Sequence, residues 1–149
     1  MTDEHRLTHI GLCVSDLARS LGFYCTALGF VEIGRMMVHD EPTATLLGVP
    51  DVQLELVYLE RDGFRVELLD FHAPGVSGDP SPRPINRLGF THLSVRVDDP
   101  DSLAAAAVRH GGRIASERTV VFAGGNRGMM VTDPDGNWIE LIERPRAQD

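Results

Sequence analysis

The chain is written twice, and that repeat constrains its fold more than any other feature. "HIGLCVSDLARSLGFYCTALGF" begins at His9 and "HLSVRVDDPDSLAAAAVRHGGR" begins at His92. Superposed, His9 meets His92, Val14 meets Val97, Asp16 meets Asp99 and Gly29 meets Gly112, all at an offset of 83. A second match joins "DGFRVELL" to "DGNWIELI" at an offset of 73, so that Glu67 meets Glu140. The offset shortens by ten, so the first copy carries about ten extra residues. They fall in the turn-rich segment "VHDEPTATLLGVPD", residues 38–51. Self-similarity of this kind predicts two copies of one supersecondary unit.

Each copy opens on a histidine strand and closes on a glutamate strand. "LTHIGLCV" alternates in polarity, as a half-buried strand does. Ser15 or Asp16 is placed to cap a helix over "LARSLGFYCTAL", stopped at Gly29. Leu17, Leu21, Tyr24 and Leu28 share one face of that helix. Strands follow at "FVEIGRMMV", "VQLELVYLE" and "FRVELLDF". In the second copy Asp99 caps and Pro100 starts the helix "SLAAAAVRH". Strands around "RIASERTVVF", "GMMVT" and "NWIELIE" complete it, with the turn "DPDG" before the last. The expected fold is α+β, two βαβββ modules forming a cupped mixed sheet. It is one domain over residues 1–149, with modules of about 7–72 and 89–144 joined by a Pro/Gly/Ser-rich linker of about 73–88.

Side-chain parity carries the functional signal. Ile10, Leu12 and Val14 share one strand face, and His9 lies on the other. Leu93, Val95 and Val97 oppose His92, Ser94 and Arg96 in the same way. Glu67 and Glu140 each oppose an aliphatic pair, Val66 with Leu68 and Ile139 with Leu141. A lone strand histidine or glutamate is commonly a hydrogen-bonded or solvated residue. Recurrence of both at matched places in a duplicated unit points instead to two imidazoles and two carboxylates around one divalent metal ion. A cation removes the cost of burying two negative charges. Nitrogen and oxygen ligands suit several of Ni, Co, Zn, Fe, Mn and Mg, so the set does not choose among them. His5, His39, His72 and His110 lack the pattern and read as surface or loop residues.

Charge narrows the partners. Fourteen basic residues against 22 acidic give a net charge of −8 with no basic run, which disfavours nucleic acid and anionic membranes. No stretch is long and apolar enough to span a membrane, and "MTDEHRLTHI" lacks the apolar region of a signal peptide. Two cysteines, Cys13 and Cys25, make no disulfide scaffold, so a cytoplasmic setting is expected. "GGNRG" at 124–128 lacks the GK[ST] ending of a phosphate loop.

From "LTHIGLCVSDL" through "RLGFTHLSVRVDD" to "VTDPDGNWIELIER" the chain resembles the vicinal oxygen chelate superfamily, the glyoxalase/bleomycin resistance/dioxygenase group. The resemblance implies paired βαβββ modules around a metal held by His9, Glu67, His92 and Glu140. A His-Glu-His-Glu set is similar to bacterial glyoxalase I. "FAGGNRGMMVTDPDGNWIELIERP" resembles the tail of methylmalonyl-CoA epimerase, which carries glutamine where this chain has Glu67. By this resemblance Glu140 acts as base, with Glu55 or Glu67 as the second acid/base. The implied function is metal-dependent lyase or isomerase chemistry, with proton abstraction next to a metal-chelated carbonyl of a small molecule bearing vicinal oxygens. An extradiol-type Fe(II) dioxygenase is the alternative, and a non-catalytic small-molecule binder the second. The resemblance also implies a homodimer. Arg96, Arg127 and Trp138 are candidate substrate contacts, with Arg35 and Arg65 behind them. Met36, Met37, Met129 and Met130 are candidates to line an apolar pocket.

Overall fold

A computed structural model describes residues 5–144. Two compact units emerge, one from residues up to Ala18 together with Gly29–Gly78, the other from Arg19–Leu28 with Asp79 onward. Both hold a mixed sheet of the expected βαβββ kind.

In the first unit β1 (Ile10–Cys13), β2 (Val31–Val38), β3 (Gln53–Arg61) and β4 (Phe64–Ala73) lie in the order β1-β4-β3-β2. β1 runs parallel to β4, and the other pairs are antiparallel. The β3–β4 hairpin closes through Asp62-Gly63, both at positive φ (53° and 76°), which is the two-residue turn that Asp-Gly favours. One sheet face is apolar, with Val57, Leu59, Val66 and Leu68 fully buried. Burying each such side chain contributes roughly 1.5–3 kcal/mol.

The extra residues of the first copy form a helix, α2 (Glu41–Leu47), rather than a plain loop. Its signals stand in "DEPTATLLG". The Asp40 side chain accepts from Thr43 N at 2.9 Å, a proline sits in the first turn, and Gly48 closes the helix at φ 66°.

In the second unit β5 (His92–Val97), β6 (Arg113–Ile114), β8 (Arg127–Thr132) and β9 (Trp138–Glu143) lie in the order β5-β9-β8-β6, and β7 (Val120–Val121) also pairs with β8. Helix α3 (Pro100–Arg109) starts on Asp99, whose side chain accepts from Asp101 N, and packs against β8 and β9. Val131, Ile139 and Leu141 are fully buried on that side of the sheet.

The compact units do not follow the repeat boundary. Helix α1 (Leu17–Leu21) continues directly as a π-helical turn, Gly22–Ala27, and this continuation belongs to the second unit. There Arg19 Nη2 donates to Gly111 O at 3.1 Å and the Tyr24 hydroxyl donates to Asp133 Oδ2 at 2.8 Å. The wider turn leaves the adjacent residues Phe23 and Tyr24 both fully buried.

Gly112 is a consequence of this packing. A Cβ there would stand 2.5 Å from Thr132 O and 2.6 Å from the Phe23 ring. Gly112→Ala is therefore expected to cost about 1–3 kcal/mol through overpacking, read as a lower midpoint in thermal or urea unfolding. Unchanged stability would mean that this approach is looser than described.

Among the described residues no helix is long and apolar enough to cross a membrane.

Candidate functional site

The first pair of predicted ligands is assembled by sheet register. β1 and β4 run side by side with Gly11 opposite Glu67, so His9, two residues back, points to the same face as Glu67. His9 Nε2 lies 3.2 Å from Glu67 Oε2. On its other side the His9 ring bonds backward, with Nδ1 3.0 Å from Thr8 Oγ1. When Nδ1–H donates to the threonine, Nε2 presents its lone pair forward.

Tyr58 stands directly across from Glu67 on β3. Its ring meets His9 edge-on, with centroids 5.4 Å apart. Hydrogen bonding to Glu67, then partial burial, then the glutamate's charge push the phenol up to about 12.

The second pair repeats this logic with different neighbours. β5 and β9 set Ser94 opposite Glu140 and His92 opposite Trp138. His92 Nε2 is 3.7 Å from Glu140 Oε2, and His92 Nδ1 is 2.9 Å from Thr91 Oγ1. Ser94 Oγ donates to Glu140 Oε2 at 2.6 Å, and Met130 faces Glu140 across the β8–β9 ladder. The Glu140 side chain is 30% exposed, against 11% for Glu67.

Each unit thus presents one imidazole nitrogen and one carboxylate oxygen side by side. Two ligands on one cation, with bonds of about 2.0–2.2 Å, lie roughly 3.0–3.5 Å apart. The observed 3.2 and 3.7 Å are within a few tenths of an ångström of that range. Threonine behind each ring supplies the outer hydrogen bond that orients a metal-binding histidine. Both pairs therefore fit a divalent cation as half-sites.

Other predicted residues are placed differently. Glu55 was expected to share the face of Glu67, and the register corrects this. It pairs with Asp70, three residues from Glu67, which is the opposite face. There Arg35 Nη1 donates to Glu55 Oε1 at 2.9 Å, and His72 Nε2 lies 3.5 Å from Glu55 and 3.4 Å from Asp70. Among the described residues Glu55, Asp70 and His72 form a group of three potential ligands within 4.8 Å of one another, but the Arg35 guanidinium already supplies positive charge there.

Arg127 is also corrected. It lies on the face away from Glu140 and binds Glu143 (3.3 Å), Asp99 (3.2 Å) and Asp101 (2.5 Å). Those contacts, led by Glu143, raise its pKa and make it a brace between β9 and the start of α3, not a substrate contact. Glu143 is 6% exposed, so the guanidinium offsets the burial of that carboxylate.

Trp138 does share the face of His92 and Glu140, but its indole N–H already donates to Arg83 O at 2.7 Å. What remains for a ligand is the ring. Arg96 stands exposed on the same face as His92. Of the methionines, Met130 lies on the Glu140 face and Met36 on the Glu67 face, while Met129 is buried on the other side and Met37 pairs with Glu55. His5 and His39 are exposed, as expected of surface positions. His110 closes α3.

Tyr58, Ser94, Thr8 and Thr91 were not singled out by the sequence pattern. The Thr-His dipeptide does recur, at an offset of 83, and that was a usable signal. Ser94 is matched to Gly11, and Met130 rather than a tyrosine faces the second glutamate, so neither Ser94 nor Tyr58 recurs as a residue type for the repeat to mark.

Comparison with known proteins agrees with this architecture. The model of the glyoxalase/bleomycin resistance protein/dioxygenase superfamily matches residues 6–141. The lactoylglutathione lyase of Salmonella typhimurium is 30% identical over 148 residues, covering 95% of each chain. A catechol-2,3-dioxygenase of Bacillus subtilis is 32% identical over 154 residues, covering 99% of this chain but 46% of that protein. The chain spans less than half the length of several such relatives. Among solved structures, a glyoxalase family protein from Bacillus cereus superposes with a TM-score of 0.83 at 22% identity, covering 96% of this chain and 97% of that one. The chain belongs to the glyoxalase/bleomycin resistance protein/dioxygenase superfamily.

Proposed function

We propose that the protein is a divalent-metal-dependent lyase or isomerase that moves a proton on carbon next to a carbonyl of a small molecule with vicinal oxygens. The observation that supports it best is the second carboxylate. Glu67 stands against His9 as Glu140 stands against His92, so each unit offers a carboxylate beside its imidazole, which supports a reading with four ligands rather than three. His9, Glu67, His92 and Glu140 would hold the ion. When bound, it acts as a Lewis acid on the carbonyl oxygen and stabilises the charge that develops there.

The chain's own carboxylates do the proton work. Glu140, the more exposed of the two, takes the proton, and Glu67 is the candidate to return one. Trp138 and Met130 flank Glu140 on its face and offer apolar surface to the substrate. Arg96, exposed beyond Ser94, is the candidate for an anionic substrate group. A homodimer, by likeness to the superfamily, and a cytoplasmic setting, from the absence of a cysteine scaffold, complete the reading.

An extradiol Fe(II) dioxygenase is the second reading, favoured by the 32% identity to the B. subtilis dioxygenase. It needs only two histidines and one glutamate, so it leaves the Glu67 pairing without a use.

Metal analysis of the purified protein, followed by chelation and add-back, tests both. One equivalent of divalent metal, activity lost on chelation, and solvent deuterium incorporated into a 2-oxo-thiohemiacetal or an acyl-CoA thioester are expected. Oxygen uptake with catechols and iron would favour the second reading. Full turnover after exhaustive chelation would sink both.

A further inference from the structure

The two half-sites are alike in their ligands and unlike in what holds the glutamates. The repeat places Gly11 where the second copy has Ser94. A Cβ built on Gly11 would stand 3.6 Å from Glu67 Oε2, and the real side chain of Ser94 does reach Glu140 Oε2, at 2.6 Å. The same backbone position therefore addresses, in each half, the carboxylate oxygen that faces the histidine. The second half uses it for a hydroxyl; the first has no side chain there, and a Cβ would also stand 3.1 Å from Leu69 Cδ1.

Across the ladder the choice is reversed. Tyr58 stands opposite Glu67 with a hydroxyl to offer it, whereas Met130 stands opposite Glu140 and has no donor.

We propose that Ser94 and Tyr58 are the positioning residues of the site, each fixing one ligand glutamate from a different strand. The proposal rests on the metal-centre reading above. Ser94 ties Glu140 Oε2 on the side of His92 and leaves Oε1 as the oxygen that carries a proton. An O–H···O⁻ bond of 2.6 Å is in the strong, charge-assisted range and restricts rotation of the carboxylate. Tyr58 stands against both members of its half, directly across the ladder from Glu67 and with its ring edge-on to His9 at 5.4 Å. The first half is thereby the rigid one, and the second keeps its carboxylate more open to substrate, 30% exposed against 11%.

Cobalt(II) titration of the metal-free protein tests this without any substrate. Calorimetry gives the affinity, and the visible absorption of bound cobalt reports its ligand geometry. Ser94→Ala is expected to weaken cobalt binding about 10–100-fold, as loss of an outer hydrogen bond to a ligand does, and to alter the spectrum. Ser94→Thr, which keeps the hydroxyl on an exposed strand position, should restore most of both. Tyr58→Phe, which keeps the ring against His9, should weaken binding by a similar factor.

Wild-type affinity and spectrum in both Ser94→Ala and Tyr58→Phe would overturn the proposal. So would a Ser94→Thr variant as weak as Ser94→Ala, because the effect would then be one of bulk. If the wild type binds no cobalt, or binds it equally with His9→Ala and His92→Ala, the metal-centre reading itself fails and takes the proposal with it. Unfolding midpoints measured alongside separate all of these from misfolding.

Discussion

Glutamine in place of Glu140 is expected to lower turnover by about 10²–10⁴-fold while the chain stays folded. The amide keeps the size of the side chain and one oxygen to offer a cation, but it has no basic oxygen to receive a proton. Exposure decides between the two glutamates. At 30% against 11%, Glu140 is the carboxylate that a substrate carbon reaches more readily. Glu67 is further enclosed by Tyr58, which stands directly across from it on β3. Glu67→Gln should therefore act chiefly through metal affinity, on the order of tenfold to a hundredfold. Rates measured at verified full metal occupancy separate the two effects. The assignment of Glu140 as base is lost if Glu140→Gln retains wild-type turnover at full occupancy, or if Glu67→Gln is the slower variant.

The placing of each histidine beside its glutamate was legible before any coordinates, because a duplicated unit shows its matched residues twice. Parity alone put His9 and Glu67 on faces opposite their aliphatic neighbours, and the parallel pairing of β1 with β4 and of β5 with β9 brings each histidine beside its glutamate. The pieces that escaped are those without a counterpart in the other copy. Glu55 has parity but not register. Period-two alternation says which residues of β3 share a face, and only the pairing with Asp70 says that this face is not Glu67's. Arg127 looked like a candidate for substrate because a sequence does not reveal a three-carboxylate cage formed by Asp99, Asp101 and Glu143. Helix α2 was missed for a different reason. Its cap, proline and terminal glycine are the same residue types that mark turns, and only the short run between them decides for a helix. The placement of Arg19–Leu28 with the second unit is a matter of long-range packing, seen in the Tyr24 bond to Asp133, 109 residues on.

That bond underlies the largest stability effect expected in the second unit. Asp133 is fully buried, and its carboxylate accepts four hydrogen bonds. Oδ2 takes the Tyr24 hydroxyl at 2.8 Å and Asn137 Nδ2 at 2.9 Å, while Oδ1 takes the backbone N–H of Asp135 at 3.0 Å and of Asn137 at 2.8 Å. One side chain thus fixes both the "DPDG" turn before β9 and the π-helical turn after α1. Asp133→Ala removes all four of these bonds at a fully buried position, the one from the buried Tyr24 hydroxyl among them, and is expected to cost about 2–4 kcal/mol. In a chain of this size that lowers the melting midpoint by roughly 5–15 °C. Tyr24→Phe removes one donor and keeps the ring, so it should cost only about 1 kcal/mol. The pH dependence has a definite sign. Burial raises the Asp133 pKa above its ordinary value, and the bonds from Asn137 and Tyr24 offset that only in part. The folded chain then holds this proton to a higher pH than the unfolded chain does. Its contribution to stability is full below the unfolded value of about 3.9 and declines as pH climbs through the raised folded value. Asp133→Asn has no such proton, so the stability gap between wild type and Asp133→Asn should narrow across that window in urea titrations at stepped pH. A gap that widens with pH would mean that the four donors outweigh burial and that the carboxylate is held ionised in the fold.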